Sequence, residues 1–586
     1  MGSNEPQIQD GDKESFYRYT SGRWLWDEPA QLSPRYVQFN VAELAQIAAR
    51  SIGASSCVEI KKVPEGNFNK TFLLTMNDGN EVIVKVPNPN AGRPHFTTAS
   101  EVATMDFVRN VLKIPAPKVF AWSSRREENP VNAEYIVMEK VRGIELEKLW
   151  EDITGRQRYE IVKQLVGIEK SFAATRFTSF GSLYYAEDIA KVSNNKILYV
   201  NEDGTEIQCS QFAIGPTNNR MFFDEGRGTV HMDRGPWRTA EDYAIAAARR
   251  EIACIMTLQE FPRPQGLFYG PGQYRPTPIS KLSALTNYLK VAKYLLPKEE
   301  LFRASIMWHS DLHANNIFVN PEKPTEIVGI IDWQSVHLSP FFLQARHPAL
   351  IEFNGPIPEG LSRIKLPENF DEMSADKQKE AKMLRSAQSL YKLYEVELRQ
   401  RNENIFRALQ YRETLACKIT ALAGSLFSDG EPIVNGMLMA VEREWLNIVE
   451  PGPDGRPSVP CPLVFSAQER TLQSEHEAQW IRGVELMEAV LEQVGAYRGW
   501  DGWVNYASYE LMKARLESCL KHFLDHETKN GTQRTEWIKA WPFAEQPSQT
   551  RIRRYTPPPR DLYPQVKFQE GTVKPSELEI EGHYIK

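Results

Sequence analysis

Between residues 57 and 141, short apolar runs alternate with turn-forming residues in a pattern that predicts a small β-rich unit. Positions 57–63, 71–76 and 81–86 read as strands. Asn77-Asp78-Gly79-Asn80 closes the second pair as a tight turn, and 64–70 is a longer loop containing Gly66. In the third strand Val82, Val84 and Val86 share one face, while Ile83 and Lys85 share the other. Residues 97–112 place Val102, Met105, Val108 and Leu112 at helical spacing, with Glu101 near the start. Two more strands, 118–122 and 133–141, complete the unit.

Upstream, residues 1–15 are polar and predict disorder. Residues 16–28, FYRYTSGRWLWDE, are dense in aromatics that favour burial, so they predict an arm docked on the body. Asn40, three residues before Glu43, predicts the cap of a helix running to Arg50 and stopped by Gly53. Downstream, 144–183 reads as helical, 186–240 as an irregular Gly/Pro-rich insert lying over a cleft, and 241–256 and 280–303 as helices. After Pro340 the pattern is mostly helical. Leu384, Ala387, Tyr391, Tyr394 and Leu398 line one long helix. Ser466 and Glu469 form a capping box for another, which carries Trp480, Val484, Met487, Leu491 and Val494 and ends at Gly495. The predicted units are an arm and helix (1–56), the β-rich lobe (57–141), a larger lobe (142–375) with its insert at 186–240 and its chemical centre at 305–333, a helical extension (376–540) and an extended tail (541–586).

A chain of 586 residues exceeds one small core and fits two large lobes with insertions. The formal charge of −6 gives no sign of nucleic-acid or membrane-surface binding. Six cysteines are scattered without a C-x-x-C, which argues against a disulfide framework or zinc site and for a reducing compartment. No apolar run reaches about 18 residues, so no transmembrane helix is expected. The acidic start resembles neither a secretory signal nor a transit peptide.

The stretch 305–333 holds the densest chemistry. His309, Asp311 and Asn316 form H-x-D-x-x-x-x-N, and Asp332 follows an apolar run. Strands at 317–319 and 326–331, joined by a turn, bring these polar residues to the mouth of one hairpin. Asp311 can accept a proton from a hydroxyl. Asn316 and Asp332 offer hard oxygens suited to Mg²⁺ held together with phosphate oxygens.

The H-S-D-L-H-A-N-N and I-I-D-W segments resemble the catalytic and metal motifs of the aminoglycoside phosphotransferase and choline kinase group, usually spelled near H-G-D-L-H-P-G-N with a later D-W-E or D-F-E. Ser310, Ala314 and Asn315 depart from that spelling, and Gln334 stands where an acid is common. Together with FYRYTSGRWLW, EGNFNKTFLL, FGSLYY and DRGPW, the motifs resemble the fungal "altered inheritance of mitochondria" family of phosphotransferase-like proteins. The resemblance implies an α+β, protein-kinase-like two-lobe fold with a small antiparallel β lobe, a large mainly helical lobe and an extra helical C-terminal region. It implies ATP and Mg²⁺ as cofactors, a small-molecule substrate and a mitochondrial location, with the cytoplasm as the alternative because of the acidic start.

Site roles follow from the same resemblance. Asp311, His309 and Asn316 form the catalytic set, and Asn316 and Asp332 the metal pair. Lys85 contacts the α- and β-phosphates with Glu101 as its partner. The loop Gly66, Asn67, Phe68 and Asn69 covers the phosphates, and main-chain groups of Met138, Glu139, Lys140 and Val141 meet adenine. Taken singly, Lys85 also fits a solubilising edge lysine, Glu101 a helix-dipole residue, and the Gly66 loop an ordinary hairpin turn. Two function classes stand: a small-molecule hydroxyl phosphotransferase, and a non-catalytic nucleotide-binding or scaffold protein. A protein kinase fits less well, because no A-P-E follows Asp332.

Overall fold

The structure, a computed structural model, describes residues 7–8, 13–189, 197–262, 269–353, 355–358, 360 and 363–545. The fold is α+β and two-lobed. The small lobe opens with helix α1 (Val41–Ser51), capped by Asn40 Oδ1, which accepts from the Glu43 amide at 3.2 Å. Strands β1 (Cys57–Lys62), β2 (Asn69–Met76) and β3 (Glu81–Pro87) follow as an antiparallel meander. Gly79 closes the β2–β3 turn at φ 82°, a conformation glycine adopts without steric cost. Helix α2 (Phe96–Asn110) leads to β4 (Val119–Ser123) and β5 (Tyr135–Glu139), and β5 inserts between β3 and β4. The alternating residues Phe72, Leu74, Val82, Val84, Val86 and Val137 bury one sheet face with Leu44, Ala45 and Ala48 of α1. Gln7–Ile8 adds a parallel edge to β1, and Lys13–Phe16 forms a helical turn, so the disorder predicted for 1–15 does not hold at those positions.

The larger lobe corrects three expectations. The helix predicted over 144–183 is α3 (Gly155–Ala173), and it ends before two strands, Arg176–Phe177 and Ser182–Tyr185. The Thr, Phe and Tyr residues of that stretch suit a pleated surface better than a helix. The insert predicted at 186–240 is not a separate subdomain where it is described. Ile197–Val200 pairs with Arg176–Phe177, in the same sheet as Ser305–Met307 and Leu338–Pro340, and Phe212–Gly215 pairs with Ser182–Tyr185. The helix predicted over 280–303 runs only Pro278–Val291, capped by Thr277, then breaks into short turns on either side of Pro297. The hairpin Ile317–Val319 with Ile327–Ile330 gains a third strand from Ile144–Glu145.

Helix α4 (Ala375–Arg401) is an integral wall of this lobe rather than an added extension. Its Leu390, Tyr394 and Leu398 share a core with Phe172 and Trp333, and Tyr394 Oη donates to the buried Glu169 carboxylate at 2.8 Å. Helix α5 (Ala467–Val494) has its capping box, Ser466 with Glu469, and ends at Gly495 with φ 80°. The aromatic arm is docked. Phe16 packs edge-on to Phe72 of β2, while Arg23–Trp24 pairs with Trp503–Val504 and Trp26 meets Trp500 and Phe543. Trp24 is fully buried, and its indole N–H donates to Asp501 at 2.9 Å. Of the predicted tail, 546–586 lies outside the described residues. Among the described residues no helix is long and apolar enough to cross a membrane.

Candidate active site

Lys85 sits in the middle of the small-lobe sheet, paired to Thr71 on β2 and Ile136 on β5. A solubilising edge lysine would need an open flank, which β3 lacks. Its Nζ lies 2.6 Å from Glu101 Oε1 and 3.2 Å from Asp332 Oδ1. Burial works against the ammonium, but Glu101 and Asp332 outweigh it and raise the Lys85 pKa. Burial likewise raises the Glu101 carboxyl, against the pull of Lys85. Glu101 stays in place because α2 is anchored at two points. Glu134 accepts from the His95 amide and Thr98 Oγ1 at the helix start, and Asp106 accepts from Tyr185 Oη and Gln211 Nε2 of the larger lobe. Among the described residues, Glu101 Oε2 is buried without a hydrogen-bond partner, as is Asn69 Oδ1 at the start of β2. Such atoms are costly unless a ligand or water meets them.

The lower half of the site is built from the 305–333 stretch. Asp311 exposes its carboxylate, and Asn316 Nδ2 donates to its Oδ2 at 3.2 Å and to its carbonyl at 3.0 Å. His313 Nε2 is 3.5 Å from Asp311 Oδ2. That contact holds the Asp311 carboxyl below the usual carboxylate range and raises the His313 imidazole. Asp332 adopts φ 64°, a left-handed conformation rare outside glycine, and this turns its carboxylate toward Lys85. His309 corrects the catalytic expectation. Its ring is 2% exposed, Nε2 donates to the Ile331 carbonyl at 3.0 Å, and Nδ1 accepts from the Asp311 amide. With both nitrogens spent on main chain, it ties the Asp311 loop to the segment before Asp332 instead of facing the cleft.

The loop residues separate in their use. Gly66 has an ordinary φ, and a Cβ there would meet no atom within 4 Å, so the fold itself does not require glycine. The preceding Glu65 is buried and ion-paired to Lys62 and Lys70, and burial pulls Lys70 down to about 8. Asn67 and Phe68 offer carbonyls to Asn90 Nδ2 and the Asn88 amide, and Asn69 Nδ2 donates to Gln334 Oε1 at 2.7 Å. At the predicted hinge, Met138 and Glu139 end strand β5. The Glu139 amide donates to Lys118 O, the Val141 carbonyl accepts from Gly143, and Lys140 pairs with Glu81. Those two main-chain groups are therefore committed within the protein. Gln334, read from the sequence only as a departure from the common acid, instead ties the loop to the segment after Asp332. Two residues beside the site were given no role from the sequence. His313 was visible as the second histidine of the motif. Arg220, whose guanidinium lies 3.6 Å from the Phe68 ring centroid, carried no local signal.

Lys85, Glu101, Asp311, Asn316 and Asp332 thus converge on one cleft between a small antiparallel lobe and a larger helical one, the plan of a kinase-like phosphotransferase. Residues 59–343 match the phosphotransferase enzyme family, and the chain belongs to that family. A subtelomeric hrmA-associated cluster protein of Aspergillus fumigatus is 32% identical over 468 residues, covering 75% of this chain and 88% of that protein. Altered inheritance of mitochondria protein 9 of Yarrowia lipolytica, which carries "mitochondrial" in its name, is 25% identical over 395 residues, covering 62% of this chain and 65% of that protein. Among solved structures, an ADP-bound aminoglycoside phosphotransferase aligns at 14% identity and a TM-score of 0.30 over 68% of this chain and 97% of that one.

Proposed function

We propose that the protein is an ATP- and Mg²⁺-dependent phosphotransferase that phosphorylates a hydroxyl of a small molecule. The observation carrying this reading is the buried Lys85, paired at once to Glu101 at 2.6 Å and to Asp332 at 3.2 Å across the two lobes. A lysine so held is a fixed positive charge at the point where phosphates would meet a metal carboxylate. The donor set fits Mg²⁺. Asp332 and the amide oxygen of Asn316 are hard ligands, and among the described residues no group of three or more His, Cys, Asp or Glu encloses a metal, so phosphate and water oxygens would complete the shell. When bound, the ion neutralises charge on the transferring phosphoryl group. Asp311, held ionised by His313, orients the acceptor hydroxyl and takes its proton as the oxygen attacks the γ-phosphorus and ADP leaves. Gly66 leaves room for the loop backbone to approach the phosphates.

Nucleotide-dependent thermal shift tests the binding half. MgATP should raise the melting temperature, and more than ATP with chelator does. No Mg²⁺-dependent shift would end the transferase reading, and a shift with no turnover on any hydroxyl in a labelled-ATP panel would favour a non-catalytic nucleotide-binding protein. The word "mitochondrial" in the name of the altered inheritance of mitochondria relatives supports a mitochondrial location for this protein. Fractionation of the untagged protein checks this, and a purely cytosolic signal overturns it.

A further inference from the structure

The mouth of the cleft is laced shut by side chains outside the catalytic set. Arg220 opens a short turn, Arg220–Phe222, rooted in the larger lobe by buried Phe222, which packs on Trp237. From there the guanidinium reaches across to the small lobe. It lies over Phe68 of the phosphate loop and donates to the carbonyls of Asn90 and Ala91, the latter at 3.0 Å. Asp224 grips it from behind through two hydrogen bonds, 3.0 and 2.6 Å. Gln334, two residues past Asp332, accepts from Asn69 at 2.7 Å and donates to the same Ala91 carbonyl at 3.2 Å. Asn219, next to Arg220, donates to His337 Nε2 at 3.0 Å. Three segments are therefore tied in a ring: the phosphate loop at 67–69, the Asp332 loop at 332–337, and the turn at 219–224.

We propose that Arg220 is a positioning residue that holds the phosphate loop closed on the nucleotide, so that nucleotide release requires the Arg220–Phe68 stack to part. The proposal rests on the phosphotransferase reading above. A planar, weakly hydrated guanidinium suits this task, because it can stack on a ring and fork to a carboxylate at once, which a lysine ammonium cannot. Closure of a loop over bound phosphates commonly gates release rather than chemistry.

The test compares wild type, Arg220→Ala, Arg220→Lys, Phe68→Leu and the Arg220→Ala/Phe68→Leu pair. Hydrogen exchange on free protein reads the clamp itself. Amides of 66–70 should exchange faster in each variant, with the Phe222–Trp237 region unchanged. Dissociation of MgAMP-PNP, followed by stopped flow, reads its role. Arg220→Ala should release it roughly tenfold faster, the worth of a half-buried cation–π contact, between the exposed and fully desolvated cases. Arg220→Lys should not rescue, and the double variant should be no worse than either single one. Additive effects in the double variant, unchanged exchange at 66–70, or faster exchange with an unchanged release rate would each overturn the proposal. Phe68→Leu acts from the opposite lobe, so it decides the matter if Arg220→Ala folds poorly. If wild type binds no MgAMP-PNP, the transferase reading itself falls and this proposal with it. If all variants bind and release alike, only the clamp falls.

Discussion

Asp311→Asn will bind MgATP as wild type does and transfer phosphate roughly two to four orders of magnitude more slowly, the worth of a positioned base. The substitution keeps the shape and leaves Lys85, Glu101 and Asp332 in contact. It removes only the carboxylate proposed to accept the proton. Asp332→Asn should fail differently, losing turnover and Mg²⁺-dependent nucleotide binding together, because a hard cation loses its charged ligand and Lys85 loses one of two counter-charges. A steady-state assay beside a thermal-shift titration separates the two. His313 adds an internal check. Its imidazole pKa is raised chiefly by Asp311, so this pair stabilises the fold below the ordinary histidine pKa and ceases to do so as pH rises through the raised value. In Asp311→Asn the imidazole, followed by NMR, should titrate lower. An Asp311→Asn protein as active as wild type would remove that carboxylate from the mechanism.

Lys85→Met should cost about 3–5 kcal/mol of stability as well as nucleotide binding, because it strands the Glu101 carboxylate inside the protein. Glu101 is 2% exposed, and among the described residues its second oxygen already lacks a partner. Without Lys85 the carboxyl pKa rises further above its unfolded value. The penalty is then present above the raised pKa and fades as pH falls toward the unfolded one. Melting curves of Lys85→Met at pH 8 and pH 5 should therefore lie closer to wild type at the lower pH, and Lys85→Met/Glu101→Leu should recover part of the loss. Nucleotide binding at wild-type strength in Lys85→Met would show that the phosphates are held elsewhere.

The site was legible where chemistry and local period coincide. The H-x-D-x-x-x-x-N spacing and the apolar run before Asp332 are features of one continuous segment, and the alternation around Lys85 shows from a single strand which face it shares with Ile83. What joins these pieces was not legible. Asn69 and Gln334 lie 265 residues apart, and no periodicity links them. Arg220 stands in a stretch legible only as an irregular insert, since its value lies in what the fold sets opposite it. The strands Arg176–Phe177 and Ile197–Val200 are too short to establish an alternation, and they are strands because of the neighbours the fold supplies, each other together with Glu206–Gln208 and Ser305. His309 misled for the converse reason. Its motif position fits a catalytic role, while burial and two backbone partners make it a brace.

The docked aromatic arm also sets a clock on biosynthesis. Asp501, the hydrogen-bond partner of Trp24, is synthesised 477 residues later. At a translation rate of roughly 5–20 residues per second, the arm waits on the order of half a minute to a minute and a half for the strand that covers it. During that interval the small-lobe sheet can form from sequence-local pairs, while Trp24 and Trp26 remain a bare apolar edge on a tethered chain. Nascent chains stalled before residue 500 should therefore expose a chaperone-binding surface that the finished protein lacks, and a premature stop there would release a small lobe permanently without its seam.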